Sequence, residues 1–164
     1  MSTVINVLLA GLGGQGVIKA SAVLSEAAFR CGLEVKQSEL HGMSQRGGSV
    51  RSDVRFGRKV LSPMVPPGEA DFLVVLAPDQ VEVNRAELRV GGVLITPECV
   101  DASQLANSKS LNMALLGALS THLDIPAERW AEAMRSCFPA KLYASNQHAF
   151  DHGRQASLQP SPRP

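Results

Sequence analysis

The chain has 164 residues, of which 45% are hydrophobic and 19% charged, a length and composition that predict one globular domain and exclude a wholly disordered chain. Sixteen basic and fifteen acidic residues give a formal net charge of +1, which argues against a general polyanion binder. Aromatic residues make up only 4%, too few to suggest a stacking platform for single-stranded nucleic acid.

Membrane and secretion signals are not expected in the N-terminal sequence. The apolar run 4–10 is too short to cross a bilayer, and no basic segment precedes it, because the first lysine is Lys19.

The cysteines form no Cys-x-x-Cys motif, so we expect no iron–sulfur cluster or zinc site held by this chain alone. Free thiols suit a reducing cytoplasm, where we expect the protein to reside without contacting membranes or nucleic acids. The three cysteines are Cys31, Cys99 and Cys137.

The first 38 residues follow a strand–helix–strand pattern. The apolar run 4–10 is typical of a strand buried on both faces. Small apolar residues then recur at three- and four-residue spacing over 15–31, which predicts a helix that lies close to a sheet. Gly32 is a good stop for this helix, and residues 33–38 are predicted to form a second short strand. We therefore predict a βαβ unit over residues 4–38.

The rest of the chain continues the alternation of strands and helices. Residues 39–48 are predicted to form a loop. Side chains of residues 49–56 alternate with a period of two, which predicts a strand with one side facing water or a partner. The prolines of 63–67 predict a rigid connector. Further predicted elements are a buried strand at 71–77, a helix at 78–88, a turn at Gly91–Gly92 into a strand at 93–96, and helices at 110–122, 127–137 and 140–153. The pattern predicts one Rossmann-like, three-layer α/β domain over residues 1–154, with a mainly parallel sheet and helices on both faces. Residues 155–164 are expected to be a disordered tail.

A glycine turn, residues 11–16, joins the first predicted strand to the first helix. Gly11, Gly13 and Gly16 satisfy the G-x-G-x-x-G spacing, which allows a tight turn and an anion at the helix N-terminus. Three interpretations stay open: dinucleotide binding, a purely structural turn, or an anion site for a phosphate-bearing ligand that is shared with a partner. Dinucleotide binding also expects an acid about 20 residues later, and only Glu39 qualifies. The candidate ligand- or partner-facing residues of the turn are Gly11, Gly13, Gly14, Gln15 and Gly16.

The predicted loop at 39–48 is the second candidate segment. Its glycines allow a close backbone approach, while its polar side chains offer hydrogen bonds and one fixed positive charge. A loop at the carboxyl end of a parallel strand lies where α/β folds bind their ligands. A surface loop with a chance histidine is the alternative. The candidate residues are His41, Gly42, Ser44, Gln45, Arg46, Gly47 and Gly48.

No complete catalytic set is recognisable in the sequence. A nucleophile elbow, a Walker lysine loop and a metalloprotease motif are all missing, so we predict no catalytic residue and no metal ligand. Residues 30–60 contain seven basic and three acidic residues, a local excess that suits an anionic ligand, a complementary protein surface, or simply a solvated face. A chain that shapes a pocket without catalytic groups indicates a subunit that completes a site on another polypeptide.

Two motifs resemble a known family. Gly-x-Gly-Gly-Gln-Gly-Val at 11–17 and Ser-Glu-Leu-His-Gly-Met-Ser-Gln-Arg-Gly-Gly-Ser-Val at 38–50 resemble the gamma-type domain of the 2-oxoacid:acceptor oxidoreductases, as in the beta subunit of indolepyruvate:ferredoxin oxidoreductase. The glycine turn alone is unspecific, whereas the second motif is quite specific. The resemblance covers about residues 4–154. Further matching segments are 54–57, 62–63, 68–71, 115–119 and 123–126.

The resemblance implies a function for the complex. Members of this family oxidatively decarboxylate arylpyruvates, typically indolepyruvate, with coenzyme A, and yield an acyl-CoA, CO2 and reduced ferredoxin. It implies an alpha subunit that carries thiamine diphosphate, magnesium and [4Fe-4S] clusters, two copies of each subunit, and a chain that is inactive alone. On this basis we expect Arg46 to bind a carboxylate or phosphate, and His41, Ser44 and Gln45 to position substrate or loop. The alternatives are a stand-alone dinucleotide-binding Rossmann protein and a purely structural assembly subunit.

Overall fold

The computed structural model describes residues 3–42 and 47–159. Within them, one five-stranded sheet packs with five α-helices and several single turns of 3-10 helix. The strands are β1 (Ile5–Leu12), β2 (Glu34–His41), β3 (Ser49–Gly57), β4 (Ala70–Val75) and β5 (Leu88–Ile95). The α-helices are α1 (Val17–Arg30), α2 (Val81–Asn84), α3 (Leu111–Ser120), α4 (Ala127–Cys137) and α5 (Ala140–Leu158).

The strand order is β2-β3-β1-β4-β5. β1 pairs in parallel with β4, and β4 with β5, whereas β3 is antiparallel to both of its neighbours, β1 and β2. Four strands therefore share one direction, and the predicted α/β fold with a mainly parallel sheet is confirmed. The predicted βαβ unit is split, however, because β3 lies between β1 and β2.

The two faces of the sheet are covered differently. Alternate residues of β1, such as Val7 and Leu9, contact the main hydrophobic core formed with α1, α3, α4 and α5. The residues between them, Leu8 and Ala10, face a smaller core that includes Val65 and is flanked by Val81 of α2. The connector between β3 and β4, together with the short helical turns around α2, thus forms the third layer.

Several predicted elements differ from the observed ones. The helix predicted at 78–88 is three short helical turns that end at Glu87. The turn predicted at Gly91–Gly92 is wrong, because both glycines lie inside β5, where the pairing with β4 shifts register and accommodates them. Helix α5 continues past residue 154 to Leu158, so residues 155–158 are helical and not a disordered tail. The predicted tail from residue 160 lies outside the described residues. No helix in the described ranges combines the length and apolarity needed to cross a membrane.

Helices α3 and α5 touch through their backbones at two glycines. A Cβ added at Gly153 would lie 1.7 Å from the Ala114 carbonyl oxygen, and one added at Gly117 would lie 2.0 Å from the Phe150 carbonyl oxygen. Neither position has room for a side chain. The two glycines therefore set the separation of the helices on which much of the main core rests.

We expect Gly153→Ala to destabilise the fold by about 2–3 kcal/mol or more, because the added methyl group forces two helix backbones apart. Urea unfolding of the purified chain, followed by circular dichroism, measures the loss. Ala144→Gln, at an exposed position of the same helix, is the control and should stay within about 0.5 kcal/mol. An unchanged unfolding midpoint for Gly153→Ala would contradict the close packing.

Candidate functional site

The two candidate segments meet at the carboxyl edge of the sheet, where β1 and β2 end and β3 begins. Val50 of β3 pairs with Gly11 on one side and with His41 on the other. The Gly13 N–H donates to the Gly48 carbonyl oxygen at 2.8 Å, which ties the glycine turn directly to the end of the loop. The fold therefore brings the two predicted segments together, although they are about 30 residues apart in sequence.

Gln15 closes the glycine turn from within. Its Oε1 accepts the Leu12 N–H at 2.8 Å, and its own backbone N–H donates to the Leu12 carbonyl oxygen at 3.2 Å. The side chain folds over Gly11, where an added Cβ would lie 2.8 Å from Oε1. The acceptor of Gln15 is thus already engaged in the turn, which supports a structural role for this side chain.

Asn112 fastens the first turn of α1 to α3. Gly16 has a φ of 84°, a left-handed conformation that favours glycine, and an added Cβ there would lie 2.4 Å from Asn112 Nδ2. Asn112 Nδ2 donates to the Gly16 carbonyl oxygen at 3.2 Å, and only 6% of the residue is exposed. Asn112 was not among the predicted site residues, although a polar side chain inside an apolar helix is a signal for it in the sequence.

The start of α1 is electropositive. The first N–H groups of a helix lack intrahelical acceptors and carry the positive end of its dipole, and the first turn of α1 contains no acidic residue. Lys109 lines a small hollow with Gly14, Gln15 and Ser108. It belongs to neither of the two predicted segments. Backbone amides and one lysine ammonium are therefore available to an anion beside the turn.

A groove of about 370 Å³ runs between the glycine turn and His41. Gly13, Gly14 and His41 are exposed along it, and His41 Nε2 lies 3.7 Å from a carboxylate oxygen of Glu39. Its floor is apolar, with Val17 and Val50 among the lining residues. The groove is open to solvent, so a ligand bound there would need a second surface to be enclosed.

Arg51, on the opposite face of the same sheet edge, is held by two carboxylates. Its Nε lies 2.9 Å from Asp53 Oδ1 and its Nη1 lies 3.2 Å from Glu87 Oε1. Burial alone would lower the pKa of Arg51, but the hydrogen bonds and charges of Asp53 and Glu87 raise it above the ordinary value. Asp53 is itself buried and also accepts the Val65 N–H at 2.9 Å. Arg51 is therefore a structural cation and not a free anion-binding group.

Ser44, Gln45 and Arg46 lie outside the described residues, so their roles stay predictions. Within the described ranges, no three His, Cys, Asp or Glu side chains come together in an arrangement that could hold a metal ion. His41, Gly42, Gly47 and Gly48 are all at the sheet edge beside the glycine turn.

The sheet order weakens the dinucleotide interpretation. In a dinucleotide-binding Rossmann fold the acid that binds the ribose sits at the end of the strand next to β1. Here β3 is next to β1 and Glu39 is on β2, where it pairs with Ser52 of β3. The carboxylate that could bind the ribose is thus two strand spacings from β1, about 9–10 Å.

Comparison with known proteins gives concordant results. The family model described as pyruvate ferredoxin/flavodoxin oxidoreductase matches residues 6–156. The indolepyruvate oxidoreductase subunit IorB of Thermococcus kodakarensis is 34% identical, over 93% of this chain and 95% of the relative.

Two solved structures share the fold. The gamma subunit of a keto/oxoacid ferredoxin oxidoreductase from Geobacter sulfurreducens PCA superposes with a TM-score of 0.80 at 24% identity, over 94% of this chain and 98% of that one. The 2-oxoglutarate:ferredoxin oxidoreductase from Magnetococcus marinus, solved with 2-oxoglutarate, coenzyme A and succinyl-CoA bound, gives a TM-score of 0.81 at 22% identity. It covers 94% of this chain but 31% of its own, so there the same fold is one part of a longer polypeptide.

We expect Gln15→Met to destabilise the chain by about 1 kcal/mol, because it leaves the Leu12 N–H without its acceptor. Gln15→Glu retains an oxygen at the same position and should unfold at nearly the wild-type urea concentration. Equal unfolding midpoints for Gln15→Met and wild type would show that the side chain does not close the turn.

Proposed function

Because this chain belongs to the pyruvate ferredoxin/flavodoxin oxidoreductase family, we propose that it is the small subunit of an indolepyruvate:ferredoxin oxidoreductase. The observation that carries the proposal is the end-to-end match with a curated subunit of an indolepyruvate oxidoreductase, a match to one subunit and not to a complete enzyme. The complex would convert an arylpyruvate and coenzyme A into an acyl-CoA, CO2 and one proton, and pass two electrons to ferredoxin. Its compartment would be the cytoplasm, as the composition predicts.

Iron–sulfur clusters do not fit the described part of this chain. They need several cysteine thiolates in one place, and the described residues, which include all three cysteines, bring no three His, Cys, Asp or Glu side chains together. Thiamine diphosphate would supply the group that stabilises the carbanion left by decarboxylation, and we assign it, with magnesium and the [4Fe-4S] clusters, to a larger alpha subunit.

The contribution of this chain would be one wall of the active site. The glycine turn, His41 and Gly48 share the carboxyl edge of the sheet, and the groove between the turn and His41 is open. In the complex, the alpha subunit would cover this groove and exclude water. The amides at the start of α1 and the Lys109 ammonium would attract the phosphates of coenzyme A or the carboxylate of the oxoacid. Arg46 would add a second, bidentate cation, while His41, Ser44 and Gln45 would position the substrate or the loop.

A purely structural assembly subunit is the second candidate function. The Gln15 side chain, held inside the turn, is compatible with this role, but the similarity to oxidoreductase subunits does not favour it. In that case the loops would contact the alpha subunit but never the substrate. A stand-alone dinucleotide-binding protein is not supported, because β3 separates the acid on β2 from β1.

Arg46→Ala distinguishes the two candidates in the reconstituted complex. Loss of a charge-assisted contact should reduce kcat/KM for the 2-oxoacid or for coenzyme A by about tenfold to a hundredfold, while assembly is retained. Arg85→Ala is the matched control, since Arg85 forms only an exposed ion pair with Glu82, which contributes little. Wild-type kinetics for Arg46→Ala would leave the structural role as the better account.

Co-purification tests the assignment as a whole. We expect the tagged chain to recover a larger subunit that contains thiamine diphosphate and the broad visible absorption of iron–sulfur clusters, with two copies of each subunit by mass. The complex should reduce ferredoxin with indolepyruvate and coenzyme A, and the isolated chain should not. Turnover of an oxoacid by the chain alone, or recovery of an NAD- or flavin-loaded monomer, would overturn the proposal.

A further inference from the structure

The connector between β3 and β4 carries a basic and apolar surface that the proposed active-site wall does not use. We call it the connector patch and define it by Lys36, Arg55, Arg58, Lys59, Leu61 and Met64. It lies at the amino edge of the sheet, since Arg58 follows the end of β3, whereas the glycine turn contacts the start of that strand. The length of β3 separates the two regions by roughly 27 Å.

Two cations of the connector patch lie opposite each other on neighbouring strands, and the other two, Arg58 and Lys59, directly follow β3. Lys36 and Arg55 are cross-strand partners in the β2–β3 ladder, and Arg55 Nη1 donates to the Ser62 carbonyl oxygen at 2.9 Å. Among the described residues, none of the four cations of the patch has a carboxylate within 4.0 Å. The nearby carboxylate of Glu34 accepts the Val60 N–H. The positive charge therefore exceeds the negative charge at this surface.

Two large apolar side chains project from the same segment. Leu61 is 81% exposed and Met64 is 51% exposed. Their exposure is set by the fold, because Val60 and Val65 on either side are buried, with 1% and 3% exposed. The Val65 N–H donates to the buried Asp53 carboxylate, and Pro63 restricts the backbone between the two anchors. The connector thus holds Leu61 and Met64 in water at a defined position.

We infer that the connector patch is a docking surface for an acidic, apolar segment of the large partner subunit. Fixed exposed apolar side chains beside cations that lack a carboxylate partner among the described residues are complementary to apolar side chains flanked by carboxylates. The proline-restricted backbone lowers the entropy cost of binding. This inference rests on the proposed function, since it names the partner, but it concerns a region remote from the active-site wall. One edge of the sheet then faces the substrate and the other anchors the chain.

Charge reversal in the complex tests the inference. Arg58→Glu/Lys59→Glu should raise the dissociation constant for the large subunit at least tenfold, with a weaker dependence on salt than wild type. Lys59→Glu alone should have a smaller effect in the same direction. Leu61→Ser should also weaken binding, but with the wild-type salt dependence. Lys141→Glu, an exposed position on α5, is the matched control and should bind as wild type does. Melting temperatures of the variants verify that they are folded.

The outcomes separate this inference from the proposed function. If the wild-type chain binds the large subunit and Arg58→Glu/Lys59→Glu binds it within twofold, the docking surface is overturned and the proposed function stands. If Lys141→Glu weakens binding as much as Lys59→Glu, the effect is one of net charge, and the patch is again overturned. Failure of the wild-type chain to bind any large subunit would overturn both.

Discussion

The antiparallel placement of β3 between β1 and β2 is the constraint on which the rest of the structure depends. It makes Val50 a neighbour of both Gly11 and His41, so the end of β1 and the end of β2 flank one residue of β3. The Gly13–Gly48 hydrogen bond follows from that placement. With β2 directly beside β1, as in a dinucleotide-binding fold, the same two sequence motifs would form a different edge.

Local patterns in the sequence predict most of the elements but not how they are arranged. Buried strands, the small-residue face of α1 and the helix α4 follow from periodicity, and the structure places them within a few residues of the expected bounds. The position of β3 has no local signal, because strand pairing is decided by contacts between residues far apart in sequence. Gly91 and Gly92 mislead for a related reason: they suggest a turn, whereas the pairing of β5 with β4 continues on both sides of them across a shift in register.

In the candidate site, too, the local motifs were predictable from sequence and their arrangement in space was not. Its two motifs were identifiable from residue types and spacing, and their proximity is a consequence of topology. The partners of Asn112 and Glu87, Gly16 for the first and Arg51 for the second, could not be predicted, because each is distant in sequence. A polar residue inside an apolar helix marks Asn112 as unusual but does not name its partner. Gln15 looked available to a ligand in the sequence, and only the three-dimensional turn shows that its oxygen binds Leu12.

The paired glycines of α3 and α5 have a consequence for the freedom of α5 to move. Each glycine receives a carbonyl group of the opposite helix, so α5 can neither rotate about its axis nor slide by a turn without a clash. Its last residues therefore leave the domain in a fixed direction.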